Sequence, residues 1–263
     1  MKVREIRVPK RKLGNTNIEV SCLGLGTVKF GRNQSVKYPE NFDLPNDKKI
    51  FELVKSAEEL GFNLLDTAPA YGSSEKRIGD LFQQQKISRH NWVISTKVGE
   101  EFENGKSKFD FSATNTELSI KRSLSRLQTD YLDIVLIHSN GFDEKIFDET
   151  DCLPTLQGLK KEGLIRAIGV STKTPRGAIR AAELTDIIMV TLNPEMQADL
   201  SAIERAYEIN RGVLIKKVFN SGHADLKEKN LQYALETPGV GSVIIGTLNL
   251  DHLQNNATVA FQL

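Results

Sequence analysis

Residues 132–171 read LDIVLIHSNGFDEKIFDETDCLPTLQGLKKEGLIRAIGVS, and this stretch holds one complete strand–helix–strand unit. Its two ends, LDIVLIH (132–138) and IRAIGVS (165–171), are short and largely apolar rather than alternating. Strands of that kind are covered on both faces, as in a parallel sheet with helices packed against it. Residues 152–161 fit a helix between them, and 139–150 form a loop leaving the carboxyl end of the first strand.

The same unit repeats on either side. Further strands are expected at 20–26, 62–66 (FNLLD), 92–97 (WVISTK), 186–192 (DIIMVTL), 212–217 (GVLIKK) and 241–246 (GSVIIG), which makes eight. Helices are expected near 47–60, 74–85, 114–128, 175–184, 199–209 and 225–236, with another after 249. The first shows the helical period clearly in Ile50, Leu53, Val54, Ala57 and Leu60. Ser74 before EKRIG and Thr114 with Glu117 three positions on read as amino-terminal caps. Eight βα units predict a closed (β/α)8, or TIM, barrel forming a single domain over 1–263. Alternation at 4–8 and a turn at Gly14-Asn15-Thr16 predict an amino-terminal β-hairpin. A doubly wound dinucleotide-binding sheet fits less well. Gly24, Gly26 and Gly31 are followed by a long insertion, Lys29 to Pro45, before the first clear helix. Residues 33–46 read as a loop over the barrel mouth.

Composition narrows the class. The 263 residues carry 35 basic and 34 acidic side chains, a net charge of +1, so nothing in the balance calls for nucleic acid or an anionic membrane. Cys22 and Cys152 are far apart and form no CxxC pattern, which argues against a disulfide framework and against a metal site. The start, MKVREIRVPKRKLG, lacks the apolar core of a signal peptide, and no run approaches the ~20 apolar residues of a membrane span. A cytoplasmic protein is expected.

In such a barrel, polar residues at the carboxyl ends of strands face the active-site mouth. Here they are Asp66, Lys97, His138 and Ser171, with Tyr71 five residues beyond Asp66 in TAPAYG. Singly, each has an ordinary structural explanation; at successive strand ends they suggest a site. The pieces KLGNTNIEVSCLGLGT, LLDTAPAYGSSEKRIG, VISTKVG, RSLSRLQTDYLDIVLIH, GLIRAIGVS and IIGTLNLDHLQNN together resemble the aldo-keto reductase family over nearly the whole length. That resemblance implies reduction of a small aldehyde or ketone by NADPH, with NADH possible, and a catalytic set of Asp66, Tyr71, Lys97 and His138. The residue types suit the chemistry. A donor aimed at the carbonyl oxygen stabilises the charge that develops there. A tyrosine of ordinary pKa near ~10 is a weak acid at neutral pH, and a lysine ammonium beside it is expected to lower that value. Asp66 would hold Lys97 charged, and His138 would hydrogen-bond the substrate oxygen or the tyrosine.

For the cofactor the resemblance implies Gly26, Thr27, Asp66, Ser171, Thr172, Met189, Lys216, Lys217, Gly246, Asn249, His252 and Asn256. Several depart from the family pattern: Thr172 replaces an asparagine, Met189 a glutamine, and Lys216 the aromatic residue that stacks on nicotinamide. Lys216 either reaches the pyrophosphate or is a solvated strand-end lysine. The helix amino terminus near 250 favours an anion, yet Leu248, Asn249 and His252 stand where NADPH-preferring relatives place a basic residue. With the sequence ending at Leu263, an open mouth is expected, shaped by loops 29–46, 99–113 and 139–150. A monomer is the family-level expectation. Two other classes compete: a non-catalytic, cofactor-binding regulatory barrel, and an aldolase-like barrel using Lys97 as a Schiff-base lysine.

Overall fold

The computed structural model describes residues 6–263. It opens with a hairpin of β1 (Lys10–Lys12) and β2 (Glu19–Ser21), paired antiparallel. The hairpin therefore exists but begins later than the alternation at 4–8 suggested; Arg4 and Glu5 lie outside the described residues. Its place is set by Leu13, Ile18 and Val20, which pack into the barrel floor with Leu64, Val93, Ile134 and Ile187. Val20, expected in the first barrel strand, thus belongs to this plug. Gly14 makes the turn at φ +53°, where any β-carbon would overlap the Arg211 backbone.

The chain continues through β3 (Leu23–Gly26), α1 (Val28–Gly31), α2 (Asp47–Glu59), β4 (Leu64–Asp66), α3 (Ser74–Gln83) and β5 (Val93–Val98). A second hairpin follows, β6 (Glu100–Glu103) with β7 (Lys106–Phe109), and then α4 (Ala113–Leu127) and β8 (Leu132–His138). The remainder is α5 (Asp143–Glu149), α6 (Cys152–Lys161), β9 (Ile165–Ser171), α7 (Pro175–Leu184), β10 (Ile187–Thr191), α8 (Leu200–Glu208), β11 (Gly212–Lys216), α9 (Lys227–Glu236), β12 (Val240–Ile245) and α10 (Leu250–Gln262). Strands β3, β4, β5, β8, β9, β10, β11 and β12 form a closed parallel barrel, with β12 pairing back onto β3. This is the (β/α)8 architecture the sequence predicts.

Two caps differ from expectation. Ser112, not Thr114, caps α4 and accepts from Asn115 N at 3.3 Å. Ser74 lies inside α3, where its buried hydroxyl donates to Thr27 Oγ1 at 2.8 Å. Cys22 and Cys152 are buried and free, and burial pushes both thiols up to about 11. Among the described residues no helix is long and apolar enough to cross a membrane.

Candidate active site

Side chains alternate between the two faces of a strand, and that parity builds the mouth. Leu64, Val93, Ile134, Leu136, Ala167 and Leu214 belong to the apolar cluster inside the barrel. Even-numbered steps from them along the same strands reach Asp66, Lys97, His138, Ser171 and Lys216. These five polar residues therefore crown the inner face just above the apolar floor. Met189 obeys the same parity but belongs to that floor, 2% exposed.

Asp66 and Lys97 form a buried ion pair. Lys97 Nζ donates to Asp66 Oδ1 at 2.8 Å and Oδ2 at 2.9 Å, and to the Thr67 carbonyl at 2.8 Å. Ser95 Oγ adds a 3.0 Å bond to Asp66 Oδ1. Burial opposes the charge on Lys97, but Asp66 and then Tyr71 outweigh it and hold the amine above its ordinary value.

Tyr71 ends a 3₁₀ turn, Pro69–Tyr71, that leaves the end of β4. The turn is fixed by two glycines. Gly72 sits at φ +62°, and a β-carbon there would overlap the Gly31 carbonyl; one on Gly31 would meet Tyr71 O and Ser74 N. Lys97 Nζ lies 4.8 Å from the tyrosine ring centroid. Here the expectation of a lowered tyrosine pKa is corrected. Burial is the largest influence and pushes Tyr71 up; Lys97 pulls it down, Asp66 offsets part of that pull, and the phenol stays protonated.

The His138 ring stands edge-on to Tyr71, centroids 6.3 Å apart. Its buried Nδ1 lies 3.0 Å from Glu100 Oε2, off the axis of the ring N–H, with no other acceptor in reach. Burial lowers the His138 pKa; Glu100 opposes the shift, while the cations Lys97 and Lys216 reinforce it. Glu100 is 8% exposed, and its Oε1 accepts from Ser107 Oγ at 2.6 Å. Burial favours its neutral form, but His138, Ser107 and Lys173 win and lower its pKa to about 2. The sequence reading missed Glu100 because it lies beyond the strand, and only the Gly99 turn into β6 swings it back over the mouth.

On the opposite side, Lys216 Nζ donates to Ser171 Oγ at 2.8 Å and to the Thr172 carbonyl at 2.6 Å. It is therefore not a solvated strand-end lysine. Burial, then Lys217 and Lys97, bring its pKa down to about 7. Lys217 reaches solvent, yet partial desolvation, then Lys37 and Lys173, lower its pKa. Thr172 Oγ1 is buried without a partner, an orphan donor that suits a polar ligand. Thr27 is spent internally, its Oγ1 donating to Asp66 O at 2.9 Å. Gly246 is open, and a β-carbon there would come within 3.5 Å of Tyr38 Oη and 3.8 Å of Gly26 O. Asn249 caps α10: its Oδ1 accepts from Asp251 N at 2.7 Å and His252 N at 3.2 Å. Two N–H groups expected to meet a phosphate are thus already satisfied. His252 is exposed and Asn256 half-buried on the same helix. An orphan hydroxyl, an open glycine edge and two lysines that have no ion-paired carboxylate among the described residues fit a polar, anionic cofactor. Among the described residues no group of three or more His, Cys, Asp or Glu side chains is placed to hold a metal ion.

The loops expected to shape the mouth are partly ordered. Lys29 Nζ stacks over Tyr38 at 4.3 Å, His223 Nε2 lies 3.2 Å from Lys37 O, and 143–149 form α5 rather than loop.

Comparison with known proteins agrees with this geometry. The model of the aldo/keto reductase family matches residues 22–206. A solved chain described as an aldo-keto reductase, from Pseudomonas aeruginosa, superposes with a TM-score of 0.89 at 44% identity, covering 100% of this chain and 99% of that one. An aldo-keto reductase from Bacillus halodurans, solved in its holo form, gives a TM-score of 0.78 at 26% identity, covering 96% and 91%. The L-galactose dehydrogenase of Arabidopsis thaliana is 28% identical, with 98% of this chain and 89% of the relative covered.

Proposed function

This chain belongs to the aldo/keto reductase family, and from that premise we propose that it reduces an aldehyde or ketone to an alcohol, with Tyr71 delivering the proton. The observation that carries the reading is the Asp66–Lys97 ion pair, buried and held 4.8 Å from the Tyr71 ring. The nicotinamide cofactor, when bound, supplies the hydride, which no protein side chain can.

The remaining chemistry falls to the chain. A reaction that places negative charge on a carbonyl oxygen needs a proton donor that is still protonated at neutral pH. Burial keeps the Tyr71 phenol in that state. Lys97, permanently charged, stabilises negative charge as it forms on the tyrosine oxygen during transfer, where a preoriented cation is worth far more than in water. Asp66 neutralises the cost of burying that ammonium and fixes its direction. Held charged above its ordinary value by Asp66 and Tyr71, Lys97 is in the wrong state for a Schiff-base nucleophile. Ser171, Thr172, Lys216, Lys217 and the Gly26–Gly246 edge would hold the cofactor. NADPH is the family-level expectation. No lysine or arginine stands between Leu248 and His252 to select its 2′-phosphate, so NADH is the alternative to test beside it.

The test is titration with NADPH and, separately, NADH by fluorescence, then turnover on a panel of small aldehydes, ketones and aldoses. Binding with turnover supports the reductase and names the cofactor. Binding without turnover supports a regulatory barrel, and no binding to either overturns the functional reading while leaving the fold.

A further inference from the structure

Resting on the reductase reading, we propose that Arg32 is a positioning residue that bolts the loop 29–46 and the β6–β7 hairpin to the peptide entering Tyr71, so that the rim of the mouth and the proton donor are set as one unit. Its side chain is 11% exposed and lies among three segments. Nη1 donates to the Ala70 carbonyl at 3.1 Å, Nε to Gln34 O at 2.9 Å and Nη2 to Ser35 O at 3.0 Å. Cζ stands 3.5 Å from the ring centroid of Phe102 in β6, contact distance for a cation over an aromatic face. Ser35 Oγ in turn donates to the Gly105 carbonyl, at the hairpin tip, at 3.2 Å.

A guanidinium so enclosed is usually matched by a carboxylate. Here Glu100 Oε1 is 3.9 Å from Nη1, beyond hydrogen-bond range, and backbone carbonyls from two segments hold the cation instead. A flat fork that bonds at its edge and stacks on its face is guanidinium geometry, which an ammonium cannot reproduce. Nor is Arg32 needed to fasten the base of its own loop. Arg77 does that, donating to Phe30 O and Pro45 O at 2.6 Å each and to Asp47 Oδ1 at 2.8 Å. Asn33 Nδ2 closes the loop on Phe42 O at 3.1 Å. What Arg32 adds is the link to the Tyr71 turn and to the hairpin. Ser35, whose carbonyl it grips, sits at φ +51°, a conformation that residues other than glycine rarely keep without outside support.

The consequence reaches the chemistry through one peptide. The Ala70 carbonyl and the Tyr71 N–H share a peptide plane. Arg32 holds the carbonyl, and Ala68 O accepts from Tyr71 N at 2.9 Å, so the plane is fixed at both ends. A proton donor must meet the developing charge in the right place, and a misplacement of ~1 Å can cost about 10²-fold in rate. Arg32→Ala frees one end of that plane and unlocks the rim together with it. It should lower kcat/KM for carbonyl reduction by about 10–10²-fold. Cofactor Kd should change little, because Ser171 and Lys216 lie on the other side of the mouth.

Hydrogen–deuterium exchange read by mass spectrometry tests the bolt without reference to turnover. In Arg32→Ala, amides in 33–42, 69–72 and 100–109 should all exchange faster, while β8 keeps its wild-type pattern. Faster exchange confined to 33–42 overturns the proposal and makes Arg32 a fastener of its own loop alone. Kinetics supplies the second arm. Free guanidinium, well below unfolding concentrations, should restore part of kcat/KM to Arg32→Ala and add nothing to the wild type. Arg32→Lys keeps the charge without the fork and should stay impaired; it carries both readouts if Arg32→Ala does not fold. Wild-type kcat/KM in either variant, or a loss in Arg32→Ala that guanidinium leaves untouched, overturns the proposal. Absence of carbonyl turnover in the wild type would instead sink the reductase reading, and exchange would still decide whether the bolt exists.

Discussion

Replacing Asp66 with Asn removes the charge that Lys97 depends on while keeping the side-chain shape. At 2.8 Å and an effective dielectric of about 20, the pair attracts by about 6 kcal/mol. Burying both charges consumes much of that, because the side chains are 2% and 5% exposed. Removing one partner is worse than removing both, since the ammonium is left buried with the Thr67 carbonyl and one amide oxygen. Losses on breaking such pairs run to about 3–5 kcal/mol. The one Asn oxygen can still accept from both Nζ and Ser95 Oγ, which already share Asp66 Oδ1, so the lower figure is expected. The pH dependence gives a second signature. In the wild type the folded pKa of Lys97 lies above its ordinary value, so its contribution is intact below that value and is lost only as pH climbs past the folded one. Without Asp66, burial dominates and the folded pKa falls below the unfolded value. The unfolded chain then binds the extra proton, and the variant gains stability as pH rises through that window. The deficit should thus be largest near neutral pH and shrink toward pH ~10. Urea unfolding at several pH values measures both, and Asp66→Asn/Lys97→Met should recover most of the loss. A deficit below about 1 kcal/mol, or one independent of pH, would refute the account of a buried, coupled pair.

Three further outcomes are expected. Tyr71→Phe should lower kcat for carbonyl reduction by about 10²–10⁴-fold with little change in cofactor Kd, since a general acid is worth that much; retained turnover removes tyrosine as the acid. Lys216→Met should weaken cofactor binding chiefly below pH ~7, because the wild-type ammonium loses its charge as pH rises through about 7; parallel Kd–pH curves for the two proteins would show that Lys216 meets no ligand anion. Gly72→Ala, at φ +62° and against the Gly31 carbonyl, should cost about 2–4 kcal/mol and depress kcat by displacing Tyr71, measured by thermal unfolding and steady-state kinetics.

Most of the barrel was legible because its strands are covered on both faces. LDIVLIH and IRAIGVS have the same bounds in sequence and structure, and the helices between strands differ by a residue or two at most ends. The hairpin and its turn at Gly14 were legible, but its first strand begins later than the alternation suggested, because its register follows side chains that plug a floor built by strands far along the chain, Val93 and Ile187 among them. The cap misreadings have a similar origin. Thr114 and Ser74 have the right chemistry, but Ser112 starts α4, and Ser74 is drawn to Thr27 at the end of the neighbouring strand β3. In the site, Asp66, Lys97, His138 and Tyr71 stand together as the strand-end pattern suggested. Glu100 lay outside that pattern: no periodicity predicts that a hairpin after β5 folds its first residue back onto His138. The direction of the Tyr71 shift was missed for a physical reason as well. Residue types reveal a nearby cation, but only burial shows that desolvation outweighs it.

Lys97 and Lys216 make the logic of the mouth plain. Both sit at the inner-face end of a barrel strand, and burial acts against the charge of each. Lys97 has a carboxylate at 2.8 Å and stays charged. Lys216 has only a hydroxyl and a carbonyl, with Lys217 and Lys97 repelling it, and falls to about 7. The same residue type is thus made permanent on one side of the mouth and conditional on the other. A permanent cation suits a role that must not vary from turnover to turnover, namely support of the Tyr71 oxygen. A conditional cation regains its proton when an anion arrives, so binding at Lys216 should take up a proton at pH ~8, where the free amine is largely neutral. Proton uptake measured by calorimetry in buffers of different ionisation heat checks this: Lys216→Met should abolish it, and uptake unchanged in that variant would assign the proton to another group.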